Sequence, residues 1–207
     1  MNRVLAMFFS MAMVAMPLSA ASVDLGLWVV VPELQGSNRI DASGVEIKLD
    51  EKIGLAGTAS VLWTSGLSTE VGIYSFSTDG SLRGGLAGGN SVDLGELDAL
   101  PITLTMRGHF GGERVNFYVG GGGAYVRFDD FSSEALRLAG VERIQIDDEA
   151  TWLANAGASF HLSKNLRIGI DLKYFPVKIR RVQLPSRERV DLELDPLLLS
   201  GGVIYRF

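Results

Sequence analysis

The alternation in the closing stretch, Asp195 to Phe207, constrains the fold more than any other feature of the chain. Every second residue gives Leu197, Leu199, Gly201, Val203, Tyr205 and Phe207, against Leu198, Ser200, Gly202, Ile204 and Arg206. A period of two with one apolar face is the pattern of a β-strand. Its length suits a tilted strand crossing a bilayer, which needs roughly 9–11 residues. Outer-membrane barrels present a final strand ending on an aromatic residue to the barrel-assembly machinery, so Tyr205 and Phe207 are the expected assembly signal. Taken alone, the stretch also fits an edge strand of a soluble sheet.

Seven more segments alternate in the same way: Val23 to Val31, Ile53 to Trp63, Thr69 to Ser77, Leu100 to Phe110, Val115 to Phe128, Thr151 to Leu162 and Leu166 to Phe175. In the last of these Leu166, Ile168, Ile170, Leu172 and Tyr174 oppose Arg167, Asp171 and Lys173. The parity of Val115 to Phe128 is ambiguous, and Tyr125 and Arg127 receive no face. Tight turns at Thr64–Ser68, Gly111–Arg114 and Ser163–Asn165 alternate with long connections at Pro32–Lys52, Thr78–Ala99, Asp129–Ala150 and Pro176–Leu194. That layout predicts an all-β fold: an eight-stranded antiparallel transmembrane β-barrel with short periplasmic turns and long extracellular loops. A soluble lipocalin-like barrel also has eight strands, with its apolar residues inside. Aromatic residues near strand ends (Trp63, Tyr118, Trp152, Phe160, Tyr174 and Tyr205) fit the girdles of a membrane barrel.

The N-terminus reads as a targeting segment. Asn2-Arg3 is followed by an apolar core from Val4 to Met16 and by Pro17-Leu18-Ser19-Ala20-Ala21. This is the form of a secretory signal peptide cleaved after Ala20 or Ala21. Residues 1–21 are therefore set aside, and 22–207 form one barrel domain. Beyond that segment no run approaches the roughly 20 apolar residues of a membrane helix. The chain has no Cys and a net charge of −5, which leaves no thiolate chemistry and no reason to expect nucleic acid. Export, absence of Cys and the aromatic last strand point to a Gram-negative outer membrane, with its lipid and lipopolysaccharide as surroundings.

An ordered series of short motifs runs through the second half. It comprises Leu100-Pro101-Ile102-Thr103-Leu104, Phe110-Gly111, Phe117-Tyr118-Val119-Gly120-Gly121-Gly122, and a short possible helix at Ser133 to Leu138. Asp147-Asp148, Trp152 leading to Ala156-Gly157, Leu162-Ser163-Lys164-Asn165 and the finish from Asp195-Pro196 to Phe207 complete it. In order and spacing, from about Leu94 to the end, this resembles the OmpW family of outer-membrane proteins. The first half matches only in layout. The resemblance implies a narrow barrel that takes up small hydrophobic molecules through an apolar upper lumen, is blocked below, and releases cargo sideways into the bilayer. It also implies that some members act as surface receptors.

The residues carry their own reading of the lumen. Eight strands enclose an interior just wide enough for side chains to fill. With the apolar faces toward lipid, parity and chain direction put Asp24, Glu70, Arg107, His109, Arg167 and Arg206 inside near the periplasm, as a charged plug. The same argument puts Val30, Tyr74, Phe76, Phe175 and Leu198 inside near the outer surface, as an apolar cup. An apolar solute resting in the cup would have to leave laterally. Gly120 to Gly123 mark either a weak place in the wall or tight curvature. The alternative is a structural protein or surface receptor acting through its loops around a filled lumen. Arg180, Arg181, Arg187 and Arg189 would then meet lipopolysaccharide phosphates.

Catalysis is not expected. His161-Leu162-Ser163 superficially matches the His-x-Ser of lipid A deacylases, but it falls at a periplasmic turn, away from the outer leaflet. Two His and no Cys offer no metal site, Asp147-Asp148-Glu149 reads as an acidic solvated loop, and no cofactor is implied.

Overall fold

The computed structural model describes residues 22–35, 39–40, 45–83, 92–128, 148–183 and 189–207. The expected signal peptide, the possible helix at Ser133 to Leu138 and most of the third long connection lie outside them. The strands are β1 (Ser22–Gln35), β2 (Arg39–Ile40), β3 (Val45–Glu51), β4 (Gly54–Thr64), β5 (Leu67–Arg83) and β6 (Val92–Gly111). They continue with β7 (Val115–Phe128), β8 (Glu149–His161), β9 (Leu166–Tyr174), β10 (Val177–Gln183) and β11 (Arg189–Arg206). No helix occurs among the described residues. Eight of the strands close a ring in the order β1, β4, β5, β6, β7, β8, β9, β11, every neighbour antiparallel, with β11 pairing back onto β1.

The direction of the side chains separates the two barrels that the alternation allowed. Leu27 is 76% exposed, Leu55 67% and Ile170 60%, while their neighbours in sequence point into the lumen. Apolar residues therefore cover the outside, as bilayer contact demands, and the polar residues face inward. On β7, Tyr118, Ala124 and Val126 are buried, which puts Tyr125 and Arg127 on the outward parity. Trp152, Phe160 and Tyr205 are exposed on the outer wall, with Tyr174 against Trp152 at 5.7 Å. Tyr118 departs from the girdle expectation: it is 3% exposed and points inward.

The short connections appear where expected, at residues 65–66, 112–114 and 162–165. Gly111 enters its turn at φ 132°, a conformation that side-chain-bearing residues rarely adopt. This rim is stitched by backbone bonds between adjacent turns and ends: His109 N–H to Gly66 O, His161 N–H to Arg114 O, and Phe207 N–H to Val23 O, each 2.9 Å.

The other end differs from the loop expectation. β5 and β6 stay paired out to Leu82 and Val92, β3 pairs with the top of β5, and β10 pairs with the top of β11. Among the described residues, the first, second and fourth long connections thus carry sheet as well as loop. Backbone pairing needs no apolar face, so the ladder continues above the lipid where the sequence loses its contrast between faces. Stretches such as Thr78-Asp79-Gly80-Ser81 give a pattern reader nothing to follow.

Candidate functional site: a lumen divided by height

The inward glycines set the shape of the interior by leaving room for aromatic rings. Trp28 on β1 lies against Gly202 and Gly26. A Cβ on either would stand within 2.7 Å of the indole. Tyr118 on β7 lies across Gly157 on β8, where a Cβ would stand 2.4 Å from the phenol. Tyr74 on β5 likewise covers Gly72. Alternating small and large inward residues let a narrow barrel hold rings without splaying its wall.

Five inward residues predicted for the upper lumen meet there. Val30, Tyr74, Phe76, Phe175 and Leu198 are 0–7% exposed and belong to one apolar cluster with Trp28, Val126 and Leu153. They are packed against each other, so the predicted cup is a filled apolar layer.

Below it lies a ring of alternating charge. The Arg107 guanidinium pairs with Glu70 and reaches Asp171 Oδ1 at 3.4 Å. Lys173 Nζ donates to Asp171 Oδ2 at 2.6 Å and to Glu70 Oε1 at 3.2 Å. Each cation thus touches both carboxylates. The remaining lone pairs are served by Tyr118 OH (2.7 Å) and Asn155 Nδ2 (3.0 Å) at Asp171 Oδ1, and by Ser60 Oγ at Glu70 Oε2 (3.3 Å). The rings of Tyr118 and Tyr74 carry Arg107 and Lys173 over their faces at 4.5 and 5.4 Å. Buried charge persists only with such partners, since each bare ion costs several kcal/mol to desolvate.

A second group sits nearer the periplasm. Asp24 takes Nε of Arg206 at Oδ1 (2.8 Å) and Nη2 at Oδ2 (3.0 Å), and Arg167 pairs with the same Oδ2. Predicted inward residues Asp24, Arg167 and Arg206 thus form one cluster, and Glu70 and Arg107 another. His109 joins neither. Its ring is bonded to Ser68 Oγ at 2.7 Å and Asn116 Oδ1 at 2.8 Å.

Asp171, Lys173, Tyr118 and Asn155 were not among the predicted site residues. Asp171 and Lys173 already stood on the polar face of their strand, and period-two parity alone would have included them. Tyr118 was assigned to a girdle because an aromatic near a strand end reads as interfacial.

Two further observations concern the wall. Gly120 to Gly123 pair with both neighbouring strands without a register shift. The β5–β6 ladder, by contrast, lapses between Ile73↔Ile102 and Phe76↔Ala99, opposite Pro101, and resumes in the same register. Proline has no N–H to donate there. At the β8–β9 turn, Ser163 Oγ accepts from the amides of Asn165 (3.4 Å) and Leu166 (3.1 Å), a turn-capping use of that hydroxyl. Among the described residues no group of His and carboxylates is arranged to hold a metal ion.

Known structures share this architecture. The crystal structure of the outer membrane protein OprG from Pseudomonas aeruginosa superposes with a TM-score of 0.71 at 18% identity, over 90% of this chain and 95% of that one. The outer membrane protein AlkL, determined by solid-state NMR in DMPC bilayers, gives 0.62 at 20% identity over 93% and 95%. The solution structure of E. coli outer membrane protein W gives 0.51 at 17% identity over 92% and 100%. The comparison with curated proteins returns no match. The model of the OmpW family matches residues 26–207, nearly the whole barrel. With an apolar outer wall, a closed eight-stranded ring and that match, the chain belongs to the OmpW family, outer-membrane β-barrels of Gram-negative bacteria.

Proposed function

We propose that this barrel mediates passive uptake of small hydrophobic molecules, which enter the apolar upper layer from outside and leave sideways into the bilayer. The observation that carries this reading is the division of the lumen by height: Val30, Tyr74, Phe76, Phe175 and Leu198 above, and a closed ring of four buried charges beneath them. An apolar solute gains nothing by passing buried ion pairs and would have to break them, so the axial route is closed to it. The lapse in the β5–β6 ladder opposite Pro101 borders the apolar layer at Tyr74 and Phe76 and offers a lateral way out. We assign the plug role to Asp24, Glu70, Arg107, His109, Arg167 and Arg206, with Asp171 and Lys173 added.

Liposomes carrying the refolded barrel test the proposal. A small apolar reporter is expected to enter faster than through protein-free membranes, and a polar one of similar size is not. Phe76→Asp is expected to remove that gain while the barrel keeps its folded migration on unheated gels. Unchanged apolar uptake by a folded Phe76→Asp barrel would refute the role of the upper layer.

One observation favours a second reading. The five upper residues are packed to 0–7% exposure, so a solute has to part them. A barrel whose lumen simply stays filled would act as a structural protein or receptor through its outer loops. No gain for either reporter would support it. The side chains of Arg180, Arg181, Arg187 and Arg189, the proposed lipopolysaccharide contacts, lie outside those described.

We also assign the assembly signal to Tyr205 and Phe207, whose rings meet edge-on at 4.8 Å on the outer wall. Deleting Phe207 is expected to slow insertion by purified assembly machinery about tenfold, with little change in spontaneous refolding in detergent. The single backbone bond lost with it is worth only about 1 kcal/mol. Equal slowing of both routes would make its role purely structural.

A further inference from the structure

Above the last rung of the β8–β9 ladder, part of β8 has a bare edge. β8 and β9 pair from His161↔Arg167 up to Ala154↔Tyr174 and no further. β8 itself continues upward, still paired with β7 through Leu153, Trp152, Thr151 and Ala150. β10 begins at Val177, but it pairs with β11 alone. Among the described residues, Ala150 to Leu153 therefore have a paired strand on one side only. Proline accounts for the break. The amide of Phe175 turns to β11, donating to Pro196 O at 3.4 Å. Successive amides of a strand point to opposite neighbours, so the next one, at Pro176, would face β8, and proline has no N–H. On the β8 side, Trp152 O takes a weak bond from the hydroxyl of its neighbour Thr151 at 3.4 Å.

This break borders the apolar layer. Leu153, Phe175 and Val177 flank it from within, all buried and all part of the apolar cluster. Outside, the rings of Trp152 and Tyr174 meet at 5.7 Å where the ladder ends. The β5–β6 lapse is built differently. Only two rungs are missing there, Tyr74 with Pro101 and Ser75 with Leu100, and the ladder holds in one register on either side. Widening that window means breaking rungs above or below it. Parting β8 from β10 breaks no ladder, only the contact of two rings and the packing behind them. We propose that the side door of the upper lumen lies between β8 and β10, with Trp152 and Tyr174 as its outer latch, and that uncharged apolar solutes pass there from the apolar layer into the outer leaflet. The assignment rests on the uptake reading and names the route that reading leaves through.

Staples across the two places separate the routes. The chain has no Cys, so an introduced pair of thiols is unique. Trp152→Cys with Pro176→Cys sets two thiols where the β8–β9 register would continue. Ser75→Cys with Leu100→Cys does the same across the β5–β6 lapse. Each refolded barrel is closed by oxidation, or by a short bis-maleimide where the thiols stand too far apart. Thiol counting and folded migration on unheated gels confirm the product before reconstitution into liposomes. Closing β8 to β10 is expected to remove the gain in apolar reporter uptake shown by the same barrel with its thiols open, and closing β5 to β6 is expected to leave that gain in place. Trp152→Ala is expected to speed apolar uptake about two- to tenfold, the worth of one aromatic contact, without admitting the polar reporter. Apolar uptake that survives the β8–β10 staple would overturn the proposal and leave the uptake reading standing. Equal loss from both staples would report a general stiffening of the wall and would overturn it too. No gain from the barrels with open thiols would overturn both readings.

Discussion

Replacing Lys173 with Met is expected to destabilise the barrel by about 3–5 kcal/mol, the usual consequence of removing one partner from a buried ion pair. Lys173 is 1% exposed and bridges Glu70 and Asp171. Without it two buried carboxylates share the single guanidinium of Arg107, and the lumen gains an uncompensated negative charge. Methionine fills much of the lost volume, so the cost is electrostatic more than steric. Urea unfolding in detergent, followed by tryptophan fluorescence, measures it. The mechanism has a sharper signature in a second variant. Glu70→Gln added to Lys173→Met restores one cation against one carboxylate, and the double variant is expected to be more stable than Lys173→Met alone. If the two losses simply add, the four charges do not act as a coupled ring.

Trp28→Ala is expected to cost about 3–5 kcal/mol, by loss of ring contacts and creation of a cavity. The indole is 4% exposed, donates from Nε1 to Thr58 Oγ1 at 2.9 Å, and lies against Gly26 and Gly202, with Gly169 at its far edge. Those glycines have no side chains to collapse inward, so the space left by the ring stays largely open. The unfolding midpoint should fall, with no loss of strand signal in circular dichroism. A loss under about 1 kcal/mol would mean that the lumen closes over the gap and that the glycine positions do not exist for the ring.

Much of this fold could be read before any coordinates, because a bilayer forces strong contrast on a strand. Leu25, Leu27 and Val29 face lipid while Asp24, Gly26 and Trp28 face inward, and that contrast located all eight barrel strands. Outside the lipid the requirement disappears, and with it the ability to see β3, β10 and the upper hairpin of β5 and β6. The site was legible in part for the same reason. Parity distinguishes inside from outside and chain direction gives height, which was enough to put Asp24, Glu70, Arg107, His109, Arg167 and Arg206 together in the lower lumen. Neither says which inward charge touches which, because that depends on the stagger of strands around the ring. Lys173 meets Glu70 across 103 positions of sequence. Tyr118 was misplaced because its partner, Gly157, lies on another strand, and no single-strand pattern shows that an inward ring has been given room.

The seam between β1 and β11 has a consequence in time. Twelve residue pairs, from Asp24↔Arg206 to Gln35↔Asp195, join the first strand to the last. Until the last strand is available, β1 has only β4 beside it and presents an open hydrogen-bonding edge, which hydrocarbon does not tolerate. The ring therefore cannot be completed from the N-terminus onward as the chain emerges. The whole polypeptide has to be delivered and held before closure, and its two ends are locked together in the same event that completes the wall.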